Sequence, residues 1–190
     1  MTAPSFPPLV PLPPEDPSAL GLEVGAVEST EPVTPQRLRE ALGRFATGVT
    51  IITCLDEQGE RVGLTANSFN ALSLDPPLVL WSLRLQSVQL AAFQRAAGFV
   101  VNVLARQQLE LSRRFASKLE DRFDSGSWSA GTTGAPVLAG CVAVFQCEML
   151  SQQVAGDHVL FIGRVLALSQ QALAPLVYQA GHYHGLGETL

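Results

Sequence analysis

Gly156-Asp157-His158-Val159-Leu160-Phe161-Ile162-Gly163 decides the class of fold. Gly-Asp is a turn signal, and the β-branched, aliphatic and aromatic residues after it read as a strand running from His158 to Leu168. Working outward, runs of the same character occupy Val49 to Cys54, Leu78 to Leu83, Phe99 to Leu104 and Val142 to Met149. Glu57-Gln58-Gly59 and Asp75-Pro76-Pro77 punctuate them as turns. Helical patterns are few. Thr34-Pro35 offers an N-cap hydroxyl and a proline at the first helical position, and Leu38, Leu42 and Phe45 then line a face expected to pack on a sheet. Shorter patterns span Val88 to Arg95 and Arg106 to Phe115. Many strands with few helices between them lack the alternation of a doubly wound sheet, so the expected class is mainly β, a barrel with helical excursions.

The chain has 190 residues, 47% of them hydrophobic, enough for one sizeable core. Nine of its 13 prolines lie between Pro4 and Pro35. Apolar residues there follow no period, so residues 1–34 are expected to form a proline-rich flexible arm and 35–190 the folded domain. A formal net charge of −5 provides no broad cationic surface, which argues against nucleic acid and anionic membranes as partners. No cationic start precedes an apolar stretch, and no segment is long enough to span a bilayer, so the expected location is cytoplasmic. Cys54, Cys141 and Cys147 show no metal or redox spacing and read as buried thiols.

GxGxxG, Walker, HExxH, nucleophile-elbow and zinc patterns are all missing, so any catalysis leans on a bound cofactor. Gly63-Leu64-Thr65-Ala66-Asn67-Ser68-Phe69 places small and hydrogen-bonding residues between two strand-like runs, where backbone N–H groups can approach a polar ligand; the plain alternative is an ordinary polar connection. Ser87 reads as the N-cap of a short helix whose start, with Arg84 nearby, suits a phosphate, or merely begins a helix. Asn102 interrupts an apolar strand and must be hydrogen-bonded, either pinning a neighbouring loop or facing a cofactor. His158 stands at the mouth of a strand. His182 and His184 share a face if their segment is extended, too few ligands for a metal.

Taken in order, these segments resemble the flavin reductase family, especially the small reductase components of two-component aromatic monooxygenases such as phenol and hydroxyphenylacetate hydroxylases. The resemblance rests on Gly43-Arg44-Phe45-Ala46-Thr47-Gly48-Val49-Thr50, Gly63 to Phe69, Ser73-Leu74-Asp75-Pro76-Pro77-Leu78-Val79, Phe99 to Leu104, Gly134-Ala135-Pro136-Val137-Leu138, Gly156-Asp157-His158 and Pro175-Leu176-Val177-Tyr178. It implies a six-stranded antiparallel split barrel, homodimeric, with a flavin site near the subunit interface. By the same resemblance Thr65, Ala66, Asn67, Ser68 and Phe69 contact the flavin ring and ribityl chain. Leu83, Arg84, Leu85, Gln86 and Ser87 hold the phosphate end, with Asn102 and Ser117 nearby. His158, Phe161, Tyr183 and His184 match positions near the nicotinamide. The family usually carries lysine or arginine before that tyrosine; here the residue is His182.

The implied activity is reduction of FMN or FAD by NADH or NADPH, with reduced flavin passed to a separate oxygenase. Hydride passes from nicotinamide C4 to flavin N5, so the protein supplies stacking, alignment and charge, and no protein nucleophile is expected. His158 is the residue expected to aid nicotinamide positioning. The alternative is an FMN-binding electron carrier or sensor without turnover, suggested by the replacement at His182.

Overall fold

The computed structural model describes residues 32–119 and 121–188. The chain divides into two compact units, Met1–Leu38 and Arg39–Leu190. Most of the expected arm lies outside the described residues.

In the first unit the described residues begin helix α1 (Pro35–Leu42). Thr34 Oγ1 accepts a hydrogen bond from the Arg37 N–H at 3.3 Å, which makes Thr34 the N-cap the sequence suggested. The expected packing of this helix on a sheet is not observed, because none of its eight residues is buried. Leu42 is 64% exposed and Phe45, just beyond, 72%. The helical period is present, but the stripe it creates is exposed among the described residues.

The described residues of the second unit form twelve strands and two further α-helices in the order β1 (Thr47–Gly48), β2 (Thr50–Leu55), β3 (Arg61–Ala66), β4 (Asn70–Leu74), β5 (Pro77–Arg84), α2 (Leu90–Arg95), β6 (Gly98–Val103), α3 (Leu109–Ala116), β7 (Trp128–Ala130), β8 (Pro136–Leu138), β9 (Ala143–Ala155), β10 (His158–Gln170), β11 (Val177–Gln179) and β12 (His182–His184). All five strand runs read from the sequence are strands. The Gly63 to Phe69 segment is a connection only from Asn67 onward, since its first half completes β3. The helix expected from Val88 begins at Leu90, with Gln89 as N-cap. Ser87 instead closes a turn, its Oγ accepting from the Gln89 N–H at 3.3 Å.

The main sheet is seven-stranded and antiparallel, in the order β3-β2-β6-β9-β10-β5-β4. Only residues 67–69 join its two edge strands, β3 and β4. Four Cα steps reach at most about 14 Å, whereas seven strands laid flat separate the edges by about 29 Å. The sheet is therefore rolled. Ser68 fastens the seam, its Oγ donating to the Ser82 carbonyl at 2.8 Å and accepting from the Ser82 N–H at 3.1 Å.

The central strands are buried on both faces, which explains why β2 and β6 read as continuous apolar runs. Ile52, Val101, Trp81, Phe93, Phe99 and Phe161 belong to one core cluster. Ile51, Val100, Leu104, Phe115 and Leu138 belong to the other. Trp81 stacks on Phe161 with ring centroids 4.7 Å apart. Gly163 sits beside a register shift in β10, where a Cβ would come within 2.5 Å of the Phe99 ring, so only glycine lets the strand pass that ring. The three cysteines are free and buried, as expected, and burial pushes each thiol up to about 12. Among the described residues no helix is long and apolar enough to cross a membrane.

Candidate functional site

β1 pairs with β11, and β11 with β12, so the C-terminal hairpin lies beside the end of α1. Its two-residue turn has positive φ at both positions, Ala180 at 48° and Gly181 at 83°, as a type I′ turn requires. The Ala180 N–H donates to the Gly43 carbonyl at 2.8 Å, and Gln179 Nε2 donates to the Arg44 carbonyl at 2.9 Å. Between this hairpin, the Arg39 to Thr47 segment and the 67–69 connection lies a cleft of about 850 Å³. Asn67, Ser68 and Phe69 line it, as do Arg44, Phe45 and Tyr178. Half-buried Phe69 is held from behind by Phe145, ring centroids 5.5 Å apart. The cleft thus joins aromatic surface, amide and hydroxyl groups and guanidinium charge, at a size ordinary for small-molecule sites.

Following β5 away from the cleft leads to a second cluster of sequence-predicted residues. Leu80, Ser82 and Arg84 share one face of β5, and their partners in β10 are Ile162, Leu160 and His158. The Leu85 N–H donates to the Asp157 carbonyl at 2.9 Å, locking the strand end to the β9–β10 turn. His158 Nδ1 lies 2.7 Å from Asp157 Oδ1. This contact, then the imidazole's charge and the nearby Arg84 guanidinium, holds the Asp157 carboxyl below its usual range. An ionised carboxylate only accepts, so Nδ1 carries the proton and Nε2 is the atom left for a ligand.

Several predicted residues serve the fold instead. Asn102 is fully buried; its Nδ2 donates to the Ile51 carbonyl at 3.0 Å and to Thr53 Oγ1 at 3.4 Å, and its Oδ1 accepts from the Leu138 N–H at 2.8 Å. Of the two readings open for it, the structure supports the anchor of a neighbouring segment. Phe161 and Leu83 are core residues on the buried face of the β5–β10 pair, turned away from His158 and Arg84, because strand alternation sends odd and even positions to opposite faces. Thr65 Oγ1 donates to the Ser112 carbonyl at 2.7 Å, and the Ala66 carbonyl accepts from Thr50 Oγ1 at 2.7 Å. Tyr183 meets buried Ser112, hydroxyl to hydroxyl, at 2.9 Å. That contact ties the C-terminal hairpin to α3, while His182 and His184 remain exposed.

Ser117 lines a smaller cleft of about 490 Å³ with Glu110, Arg113, Arg114 and Leu119. It shares no lining residue with the larger one. The roles of Arg39, Arg44, Phe45 and Tyr178 as cleft walls went unassigned from sequence, although Gly43-Arg44-Phe45 had been singled out. The helical period that joins Phe45 to Leu38 and Leu42 points to packing, but the helix ends at Leu42 and leaves Phe45 beyond it, on the cleft wall.

Residues 42–187 match the family model described as flavin reductase like domain. A "Probable flavin reductase" of Rhizobium meliloti (strain 1021) is 43% identical over 155 residues, which are 82% of this chain and 50% of that protein. The chain therefore spans half the length of that relative. The flavin-dependent monooxygenase reductase subunit HsaB of Rhodococcus jostii (strain RHA1) is 42% identical over 163 residues, 85% of this chain and 83% of that protein. Among solved structures, the NADH:FAD oxidoreductase SgcE6 of Streptomyces globisporus C-1027, in complex with NAD and FAD fragments, shares 34% identity at a TM-score of 0.77, covering 83% of this chain and 97% of that one. With the matched span beginning at Leu42 and taking in both clusters, this chain belongs to the flavin reductase-like family.

Proposed function

We propose that the protein is a flavin reductase, oxidising NADH or NADPH and supplying reduced FMN or FAD to a separate monooxygenase. The observation that carries this reading is the larger cleft, where Asn67, Ser68 and Phe69 meet the C-terminal hairpin in a space of about 850 Å³. A planar flavin fits that lining. Phe69 and Phe45 offer apolar faces for stacking, the Asn67 amide offers donors and acceptors, and guanidinium groups stand at the wall. The flavin's phosphate end then follows β5 to the Arg84 to Ser87 turn. When bound, the two cofactors supply the hydride donor and acceptor.

The chain's own groups bind, orient and exclude water. Ser68 holds the connection to β5 and so fixes the Asn67 amide and the Phe69 ring. Asp157 keeps a His158 proton on Nδ1, leaving Nε2 free for the nicotinamide amide; His158 is a positioning residue in this scheme. Ser112 orients Tyr183, which stiffens the hairpin carrying His182 and His184.

The rolled sheet is read as a split barrel of six principal strands, with short β4 closing the seam. The protein is read as a homodimer, in which exposed Leu42, Leu74 and Leu168 would be covered by the second copy. Residues 35–190 are read as the domain, and the protein as cytoplasmic.

Purified protein mixed with FMN, FAD or riboflavin and either dinucleotide tests the reading directly. Absorbance at the dinucleotide's near-ultraviolet band is expected to fall at a rate set by added flavin. A rate no greater than that of free flavin with dinucleotide would remove the proposal.

A further inference from the structure

Among the described residues the arginines divide by partner. Arg95, Arg113, Arg114 and Arg164 face carboxylates in ion pairs. Arg122 spends its guanidinium on the carbonyls of Gly63 and Ser117, and Arg61 lies over the Phe123 ring. Arg37 donates to the Pro32 carbonyl and Arg84 lies near the Asp157 carboxylate. Among the described residues Arg39 and Arg44, both on the wall of the larger cleft, and Arg106, beside Gly185, form no ion pair and no guanidinium hydrogen bond. Arg39 is in the last turn of α1, where a cation is favoured by the helix dipole in any case. Arg44 lies beyond the helix and is exposed, so no such structural role explains its placement. Among the described residues of the cleft wall, two guanidinium groups face one carboxylate, Glu40, inside a protein of formal charge −5. Phe45, beside Arg44, presents 72% of its surface. A guanidinium pair beside an open aromatic ring recognises a phosphorylated aromatic nucleotide.

This step rests on the reductase reading. There the flavin phosphate lies at Arg84 to Ser87, and none of those residues lines the cleft. Arg39 and Arg44 stand instead with Gln179, Ala180 and Gly181, next to the hairpin strand of His182 and Tyr183. We infer that Arg39 and Arg44 bind the pyrophosphate of the nicotinamide dinucleotide. Five N–H donors in a planar fork suit bidentate contact with phosphate oxygens.

The test compares NADH with dihydronicotinamide riboside, a hydride donor of the same ring without any phosphate. In Arg44→Ala and in the Arg39→Ala/Arg44→Ala double variant, the kcat/KM preference for NADH over the riboside is expected to fall about 10–100-fold, as loss of a charge-assisted contact implies. The change should appear in KM for NADH, and Arg44→Lys should recover part of it. The ratio of KM values for FMN and riboflavin is expected to stay at the wild-type value. An unchanged NADH preference in the double variant would overturn the inference. So would a change in the FMN to riboflavin ratio alone, which would assign the charge to the flavin's phosphate. Equal losses with both hydride donors would point to cleft shape rather than charge and would also overturn it.

Calorimetric titration with ADP-ribose reads the same site without turnover. Binding by the wild type that is lost in the double variant supports the inference even if NADH oxidation is absent, in which case only the reductase reading falls.

Discussion

The two clefts use the same chemical materials in opposite ways. In the smaller one, Arg113 pairs with Glu110 at 2.6 Å and Arg114 with Asp121 at 2.9 Å, and Ser117 turns its hydroxyl to the Arg114 carbonyl at 2.7 Å. In the larger one, Arg39 and Arg44 lack such partners, Phe45 is open to solvent, and the Asn67 amide is exposed. The first is a folded seam whose polar groups have met one another. The second holds unspent donors and apolar surface, the condition in which binding a ligand does not first require breaking an internal bond. Cavity size alone would rank the pair but would not explain why one is suited to a nucleotide.

Substitutions should therefore separate stability from affinity, and the largest effect is expected at the seam. Arg122 donates to the Gly63 carbonyl at 3.2 Å and to the Ser117 carbonyl at 2.7 Å, joining the smaller cleft to β3. Arg122→Ala should cost about 2–3 kcal/mol, the range for hydrogen bonds from a charged donor. Urea unfolding monitored by tryptophan fluorescence would measure it, with Arg122→Lys expected to fall between. A cost near zero would mean the loop past Ser117 is held by its aromatic neighbours instead.

Phe45→Ala acts on the other side of the comparison. The ring is largely exposed in the single chain, so monomer stability should barely change. Affinity for the ligand stacked on it should fall about 10-fold, corresponding to the lower part of the range for an aromatic platform. Flavin fluorescence titration checks the affinity and size-exclusion chromatography the alternative that a second copy covers the ring. Unaltered affinity together with dissociation of a dimer would transfer Phe45 from ligand to interface.

Removing a carboxylate from the smaller cleft is the converse experiment. Glu110→Gln frees Arg113 at a cost of about 0.5 kcal/mol or less, because the pair is exposed and adjacent on one helix. If an unpartnered guanidinium beside a cleft is sufficient for anion binding, ADP-ribose should then bind a second time by calorimetry. No added binding is expected, since the smaller cleft lacks an open aromatic ring, and a second event would weaken the argument made for Arg44.

How much of this was legible in the sequence depends on which physical constraint each residue obeys. The five apolar runs became strands because they are buried on one or both faces, and burial leaves a compositional trace. Short β1, β11 and β12 left none, being two or three residues long, and β1 finds its partner β11 more than a hundred positions away in sequence. The cleft they complete was accordingly hidden. The sequence leaves Asn102 open between anchoring a loop and facing a cofactor, and only the family resemblance places Phe161 near the nicotinamide; a satisfied amide and strand alternation put both side chains inside. Asn67 and Ser68 lie in the connection after β3, and Arg84 is the last residue of β5, one beyond the apolar run that marks the strand. Ser87 failed as a cap since a six-residue helix starting at Leu90 leaves it in the preceding turn.

The smallest effect concerns the Asp157–His158 pair, which lies between the clefts' two extremes: partnered, yet exposed. Its carboxyl titrates below the usual value because the folded state favours the charged form. The sign follows from linkage: a depressed carboxyl contributes stability that is complete above the unfolded-state value, near 3.8, and is lost as pH falls through the lower folded value. Asp157→Asn should then match the wild type in strong acid, where both side chains are neutral, and be slightly less stable from mild acid to neutrality. Since the side chain is solvated, the gap should be close to the resolution of urea midpoints. A clearer signature is expected in the imidazole: without the carboxylate, the His158 proton is no longer held on Nδ1, and ring-nitrogen chemical shifts should show the tautomers mixing. If the Nδ1–H form persisted in Asp157→Asn, the orientation of His158 would rest on strand geometry and the Arg84 pairing alone, and Asp157 would have no part in setting it.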